Sequence, residues 1–435
     1  MSIDGGRPGP ATAPRPLGGW SLLALGLNGV IGVGIFFTPG LVAALVPGVR
    51  GAWAYGLTAA ILAPVAMVYA TLGQRFDRDG GPYVWARAAF GMPAAFAVGW
   101  TAYVSAILST AAVVAGVGHS LGAPLGLGPS GQRLLSLLAG GLLMAVTACG
   151  LQPSARIWNA LTVAKLLPLL LLVAAFAWRA TELAPAALSP VPESHDGWGR
   201  AVLLAVFALQ GFEIVPVPRG HARDGARAVP LATFGALALP ALLYAAIQLA
   251  CVRAVPDLAA RDAPLAAAAA VLGGRQLGWV VSIGTDVSAI GIAFGMAAMT
   301  PRYLVALAQD ETLGPTVGRW LRAESRGQVP VRALGVTAVL VGVLVAGRGL
   351  GGLFVLSGLA VLVQYATSAL ALSKLAWTRA LGVRRRDVVW APLSAAAVLF
   401  MVRAAQPGEV AILAGVLVAG FVLLAVGRRA SAFRA

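Results

Sequence analysis

From Trp20 to Val46 the chain carries no charged residue, a run long enough to cross the roughly 30 Å hydrocarbon core of a bilayer. The same run holds Gly29, Gly32 and Gly34 in its middle, followed by Pro39 and Gly40. Each glycine costs a helix roughly 0.8–1 kcal/mol relative to alanine. At membrane depth an opened backbone is tolerated only where it is buried in protein or lines a cavity. A glycine-broken first span of this kind predicts half of a binding site near the midplane, built as secondary transporters build theirs.

The rest of the chain extends that expectation. Of its 435 residues 59% are hydrophobic and only 11% charged, against about a quarter charged in soluble domains; mean hydropathy is +0.84. Hydropathy predicts twelve spans, near 20–46, 53–73, 93–121, 133–150, 157–178, 200–218, 230–252, 277–307, 332–347, 351–373, 388–403 and 409–427. With the N-terminus inside, roughly two thirds of the 32 Lys and Arg residues fall on the cytoplasmic side. The net charge of +16 therefore orients the chain in an inner membrane, with both termini cytoplasmic, and points to no nucleic acid partner. Arg384–Arg386 and Arg428-Arg429 read as anchors near anionic headgroups. No cleavable leader is expected, because residues 1–19 are rich in Pro and Gly without an apolar core. Cys149 and Cys251 fall in apolar spans and read as packing residues.

Span six is interrupted by Gly211, Pro216 and Pro218, and proline removes a backbone donor while clashing with the preceding turn. Spans one and six are five apart, the spacing of two inverted five-helix repeats whose broken helices face each other. The expected organisation is a disordered tail at 1–19, a first repeat at 20–178, a second at 200–373, peripheral helices at 388–427 and a basic tail at 428–435. Residues 74–92 read as an interfacial segment with Tyr83 and Trp85 at headgroup level. Residues 253–276 read as a longer outer loop, and 308–331 as a polar cytoplasmic connection holding Asp310, Glu311, Glu324 and Arg326.

Several segments, in order over nearly the whole chain, carry a family likeness. These are Gly29 to Phe36 with Thr38-Pro39-Gly40, then Gly80-Gly81-Pro82-Tyr83-Val84-Trp85-Ala86-Arg87, and Gly99-Trp100. Phe207 with Gly211-Phe212-Glu213, Arg227 with Val229-Pro230, and Pro301-Arg302-Tyr303 through Asp310 complete the set. Together they resemble bacterial permeases of the amino acid–polyamine–organocation superfamily. The resemblance implies an all-α, leucine-transporter-like fold of twelve transmembrane helices, ten in two inverted repeats, with helices one and six broken. It also implies uptake or exchange of amino acids or related amines by alternating access; neither cofactor nor metal is expected, and a proton as coupling ion is the expectation that Lys165 adds. The chain departs from the family after the sixth-span break, reading Pro216-Val217-Pro218-Arg219-Gly220-His221, where His221 replaces the usual acid and the prolines shorten or bend the inner half-helix.

An amino acid zwitterion needs donors for its carboxylate and acceptors for its ammonium. Amides at a positive half-helix end supply the donors, placed here at Ile31, Gly32, Val33 and Gly34. Freed carbonyls around Asn28 to Ile31 and Phe207 to Gly211 supply the acceptors. Tyr103, Phe212 and Tyr365, on spans three, six and ten, are expected either to wall the substrate or to pack. Of the 16 acids, Glu213 and Asp286 are the two inside spans, which makes each a functional candidate. Glu213 suits either proton transfer or tethering of freed backbone; Asp286 suits an outer vestibule, a cation pair or a basic substrate side chain. Lys165 is the one intramembrane base, about 12 Å into span five. Asn159 and Val163-Ala164-Lys165 resemble the span-five segment of proton-coupled relatives, where a lysine occupies the place of a sodium ion between spans one, five and eight. The alternative is snorkelling to the interface. No motif for phosphate, flavin or haem appears, and a broken-helix pair suits a transporter better than a channel or a membrane enzyme. A small apolar lining suggests a neutral amino acid, with symport and exchange both open.

Overall fold

The computed structural model describes residues 17–150, 155–183, 195–218, 220, 222, 224–309, 313–323 and 329–432. Most of the expected N-terminal tail, His221, the acids Asp310, Glu311 and Glu324, Arg326 and the side chain of Asn159 lie outside them.

Helices follow one another without a named strand among the described residues, as a bilayer requires of a chain whose backbone groups have no water to bond. Helix α1 (Gly19–Val30) and helix α2 (Gly34–Leu45) meet at 51° across the three residues between them. Then come α3 (Trp53–Arg75), the short α4 (Pro82–Phe90), α5 (Met92–Gly122), α6 (Pro129–Ala148) and α7 (Ala155–Arg179). Helix α8 (His195–Leu209) ends in a 3-10 turn at Phe212–Ile214, and α9 (Gly225–Ala254) follows. Helix α10 (Pro264–Gln309) is interrupted at Gly273 and Gly274, where Gly274 has φ +75°. The series closes with α11 (Pro315–Leu321), α12 (Val331–Gly347), α13 (Leu350–Trp377), α14 (Trp390–Arg403) and α15 (Pro407–Ala432).

Eight helices among the described residues are long and apolar enough to cross a membrane, nine with the bent α1–α2 pair; α8 and α12 are shorter apolar helices. The protein is a multi-pass membrane protein. Large apolar side chains stand exposed along α6 (Leu134, Leu138, Leu142), α7 (Leu167, Leu170) and α15 (Val418, Phe421, Val422), a distribution that suits lipid and would be an aggregation hazard in water. Inside, α5 packs on α10 and α13, α3 and α1 pack on α9, and α7 packs on α10. Small residues set these approaches: a Cβ on Gly284 of α10 would meet Pro168 of α7 at 2.2 Å.

Two expectations need correction. Trp85 does not sit at headgroup level: it is buried in an aromatic cluster, 5.1 Å from the Tyr69 ring and 6.5 Å from Phe76. Helix α4 turns inward because Gly80 and Gly81, both at positive φ, let the chain reverse before Pro82. Residues 253–276 are not simply a loop. A 3-10 turn at Leu258–Ala260 and the first part of α10 bury Leu258, Leu265, Ala268 and Leu272, covering the end of α2 near Gly40.

Candidate functional site

The bend between α1 and α2 releases backbone groups, and each partner found for them locates the site. Ile31 N–H still reaches Leu27 O at 2.8 Å, and Gly32 N–H folds back to Val30 O at 2.8 Å. Val30 O also accepts from Tyr244 Oη of α9 at 3.1 Å. Asn28 O accepts from Lys165 Nζ of α7 at 2.9 Å, and the same ammonium donates to Asn28 Oδ1. Lys165 is 4% exposed, so the snorkelling alternative does not hold; its charge is held at the negative C-terminal end of α1. On the other side of the bend, Gly34 and Ile35 open α2, where amides lack intrahelical acceptors.

Helix α8 stops for an equally local reason. Gln210 N–H bonds Val206 O at 2.8 Å, but Gly211 N–H, which would continue the helix onto Phe207 O, donates to Glu213 Oε2 at 2.7 Å. The Phe207 carbonyl is thereby freed from the ladder. Tyr365 Oη of α13 donates to the same carboxylate oxygen at 3.1 Å. Beyond it, Pro216 and Pro218 cannot donate, and residues 212–218 run as a 3-10 turn and successive turns rather than as an α-helix. This segment docks elsewhere: Gly80 N–H bonds Val217 O at 3.1 Å.

The two interruptions touch. A Cβ built on Gly211, whose φ is +124°, would lie 2.4 Å from the Gly29 carbonyl carbon and 2.5 Å from its oxygen. Only glycine permits backbone to meet backbone at this point.

Beside this contact lies a cavity of about 630 Å³, walled by the α1–α2 bend, the end of α8, and faces of α5, α10 and α13. Two helix ends of opposite sign border it: the N-terminus of α2 at Val33 and Gly34, and the C-terminus of α8 at Phe207 and Ala208. Most of the wall is apolar, including Val113, Ile292, Met296 and Met299, with Ser105, Ser109, Gln210, Glu213, Thr300, Gln364 and the tyrosines Tyr83 and Tyr303 as the polar exceptions. The cavity extends to Gly80, Tyr83 and Leu307 at one end. Towards the other, Phe207 stacks on Phe354 at 4.1 Å and Phe37 meets His119 edge-on at 5.3 Å.

Of the residues singled out from the sequence, Gly32, Val33, Gly34, Phe207, Gly211 and Glu213 share this wall. Ile31, Tyr103, Phe212 and Tyr365 are not on it. Ile31 is buried in packing, and Tyr103 Oη lies 3.0 Å from Thr337 Oγ1 of α12. Phe212 and Tyr365 pack with Tyr69, so Tyr365 acts on the site only through Glu213. Asp286 belongs to a separate cavity of about 20 Å³ with Phe36, Phe37 and Thr285, where Ser120 Oγ donates to it at 2.6 Å. The sequence reading passed over Gln210, Ser109 and Tyr244, each an uncharged polar group inside an apolar run; of the carbonyls expected around Asn28 to Ile31, Asn28 O is taken by Lys165 and Val30 O by Tyr244, and Tyr83, expected at headgroup level, lines the cavity. Glu409, placed by the sequence reading among loop and tail acids, is buried at the start of α15, where Arg200 of α8 meets it bidentately at 2.6 and 3.0 Å.

A model of the amino acid permease family matches residues 17–427. The chain is 31% identical over 363 residues to an "uncharacterized transporter" of Mycobacterium tuberculosis, covering 81% of this chain and 78% of that one. It is 25% identical over 362 residues to a branched-chain amino acid permease of Bacillus subtilis, covering 78% and 76%. It is 23% identical over 299 residues to a serine/threonine exchanger of the same bacterium, covering 67% of each. These names belong to transporters and not to enzymes.

Proposed function

The chain belongs to the amino acid permease family, and on that premise we propose that it carries a neutral amino acid across the bacterial inner membrane by alternating access, in symport with a proton. In this reading twelve helices cross the membrane with both termini cytoplasmic: the α1–α2 pair and the α8 segment with its turns are the broken spans one and six, and α14 and α15 are peripheral. The spans from α1 to α7 and from α8 to α13 form the two inverted repeats. The end of the cavity at Gly80 and Tyr83 then faces the cytoplasm, and the aromatic contacts close the outer side.

The substrate carboxylate takes the amides that open α2, and its ammonium takes the carbonyls freed at the end of α8. The observation that carries the proton is Lys165. Its ammonium is buried and bonded to the last turn of α1, one residue before Gly29 at the contact of the two interruptions. A desolvated lysine is the base best suited to lose and regain a proton. Loss of the proton removes a charge-assisted tie between α7 and α1 and frees the α1 end to move. Glu213 holds the α8 interruption through Gly211 and Tyr365. Exchange is the second reading, supported by the serine/threonine exchanger among the relatives.

Proteoliposomes given a labelled mixture of neutral amino acids test both. An inward proton gradient should drive accumulation in the wild type and not in Lys165→Ala. Uptake that needs internal amino acid, ignores the gradient and survives Lys165→Ala would replace symport by exchange.

A further inference from the structure

Gln210 stands one residue before Gly211, at the end of α8, and it lines the cavity. Its Nε2 donates to Ser109 Oγ of α5 at 3.2 Å and to Ser357 Oγ of α13 at 3.1 Å. The two hydroxyls are 2.7 Å apart. Its Oε1 is buried and has no hydrogen-bond partner among the described residues.

The hydrogens can be counted. Two serines own two hydroxyl hydrogens, and the 2.7 Å contact between them consumes one. A reversed amide would need both remaining bonds supplied by hydroxyls, and only one hydrogen is left. The amide therefore faces the serines with its NH₂ group, which supplies a hydrogen to each, and Oε1 points away as a free acceptor. Ser357 is fully buried and off the wall, whereas Ser109 is on it. Either hydroxyl can donate across that contact; where Ser357 donates to Ser109, the hydrogen left over is that of Ser109. At the edge of the cavity an enclosed carbonyl acceptor without a partner thus stands beside a hydroxyl donor, in a wall that is mostly apolar but also holds Ser105, Thr300, Gln364 and Glu213.

An acceptor and a donor side by side fit a group that both donates and accepts. An ammonium offers no acceptor, a carboxylate no donor, and an aliphatic side chain neither. We infer that Gln210 and Ser109 form a specificity subsite for a substrate side chain bearing a hydroxyl or a carboxamide. This rests on the amino acid transport reading and narrows it, since a branched aliphatic side chain would leave Gln210 Oε1 unpaired. A site built to hydrogen-bond a substrate group discriminates strongly against the isostere that lacks it.

The test compares isosteric pairs in proteoliposomes: threonine against valine, and asparagine against leucine, as initial-rate kcat/KM. The wild type should favour the polar member of at least one pair by about tenfold or more. Gln210→Leu should bring that ratio close to one, and Ser109→Ala should lower it several-fold. Ratios of one or less for both pairs in the wild type would overturn the subsite and leave amino acid transport intact. Polar preference unchanged in both variants would overturn it as well, since the selectivity would then lie elsewhere. No uptake of any amino acid would remove the transport reading and this inference with it. If Gln210→Leu does not fold, the wild-type ratios and Ser109→Ala decide.

Discussion

Gly211→Ala tests whether the contact between the two interruptions is what makes the site. The new Cβ would meet the Gly29 carbonyl carbon at 2.4 Å, and ordinary contact begins at 3.4 Å, so the α1 end and the α8 end must part by about 1 Å. The backbone at φ +124° adds strain of about 1–3 kcal/mol for any L side chain. Both neighbours are backbone atoms, so no side chain can swing aside to relieve the clash. A displacement of 1 Å in groups that position a substrate costs on the order of 100-fold in rate. The assay is initial uptake in proteoliposomes, paired with thermal unfolding in detergent. Gly56→Ala serves as the control, because its Cβ would meet nothing within 4 Å and should gain helix stability of roughly 0.8–1 kcal/mol. Gly211→Ala should fall by one to two orders of magnitude in kcat/KM and melt lower, with Gly56→Ala unaffected in transport. Wild-type uptake and wild-type melting in Gly211→Ala would refute the argument that this close approach defines the site.

Tyr365→Phe removes the hydroxyl that donates to Glu213 at 3.1 Å and keeps the ring packed on Tyr69 and Phe212. It should lower stability by about 1–2 kcal/mol, seen as a lower melting temperature, and slow transport without changing which amino acids compete for uptake. Arg200→Ala strands the buried carboxylate of Glu409, which then keeps, among the described residues, the Gln406 N–H at 2.9 Å, and should cost about 3–5 kcal/mol. Melting of Arg200→Ala, Glu409→Ala and the double variant should give a double that is less destabilised than the sum of the singles.

What the sequence disclosed and what it withheld divide along a physical line. The interruption in the first span was legible because glycine at positions 29, 32 and 34 is costly in a helix, although close helix packing is the competing reading of the same residues. The membrane spans were legible because charge is excluded from hydrocarbon, which also marked Lys165, Glu213 and Asp286 as the places to look. Direction was not legible. Tyr103, Phe212 and Tyr365 lie on the expected helices but face away from the cavity, because a helix of mostly apolar residues carries no strong signal for which face is inside. Trp85 reads as an interfacial anchor in isolation, and its burial follows from where α4 docks against Tyr69, a contact between distant parts of the chain.

The uncharged polar groups show the same limit from the other side. Gln210, Ser109 and Ser357 come from three helices, and their meaning lies in how hydrogens are shared among them rather than in any one position. Serine inside an apolar helix usually satisfies itself on the preceding turn, as Thr58 does on Ala54 O at 2.7 Å. Ser109 and Ser357 instead spend their hydrogen bonds across helices, and that choice becomes visible only when α5, α8 and α13 are brought together. The end of α8 is where this matters most. Gly211 and Glu213 between them remove the next rung of the helical ladder, and the freed carbonyl and the unpartnered Gln210 oxygen are left at one edge of the cavity. On the inference above, the interruption of a span and the selectivity of its site meet at Gln210 and Gly211, with Ser109 of α5 supplying the second polar group.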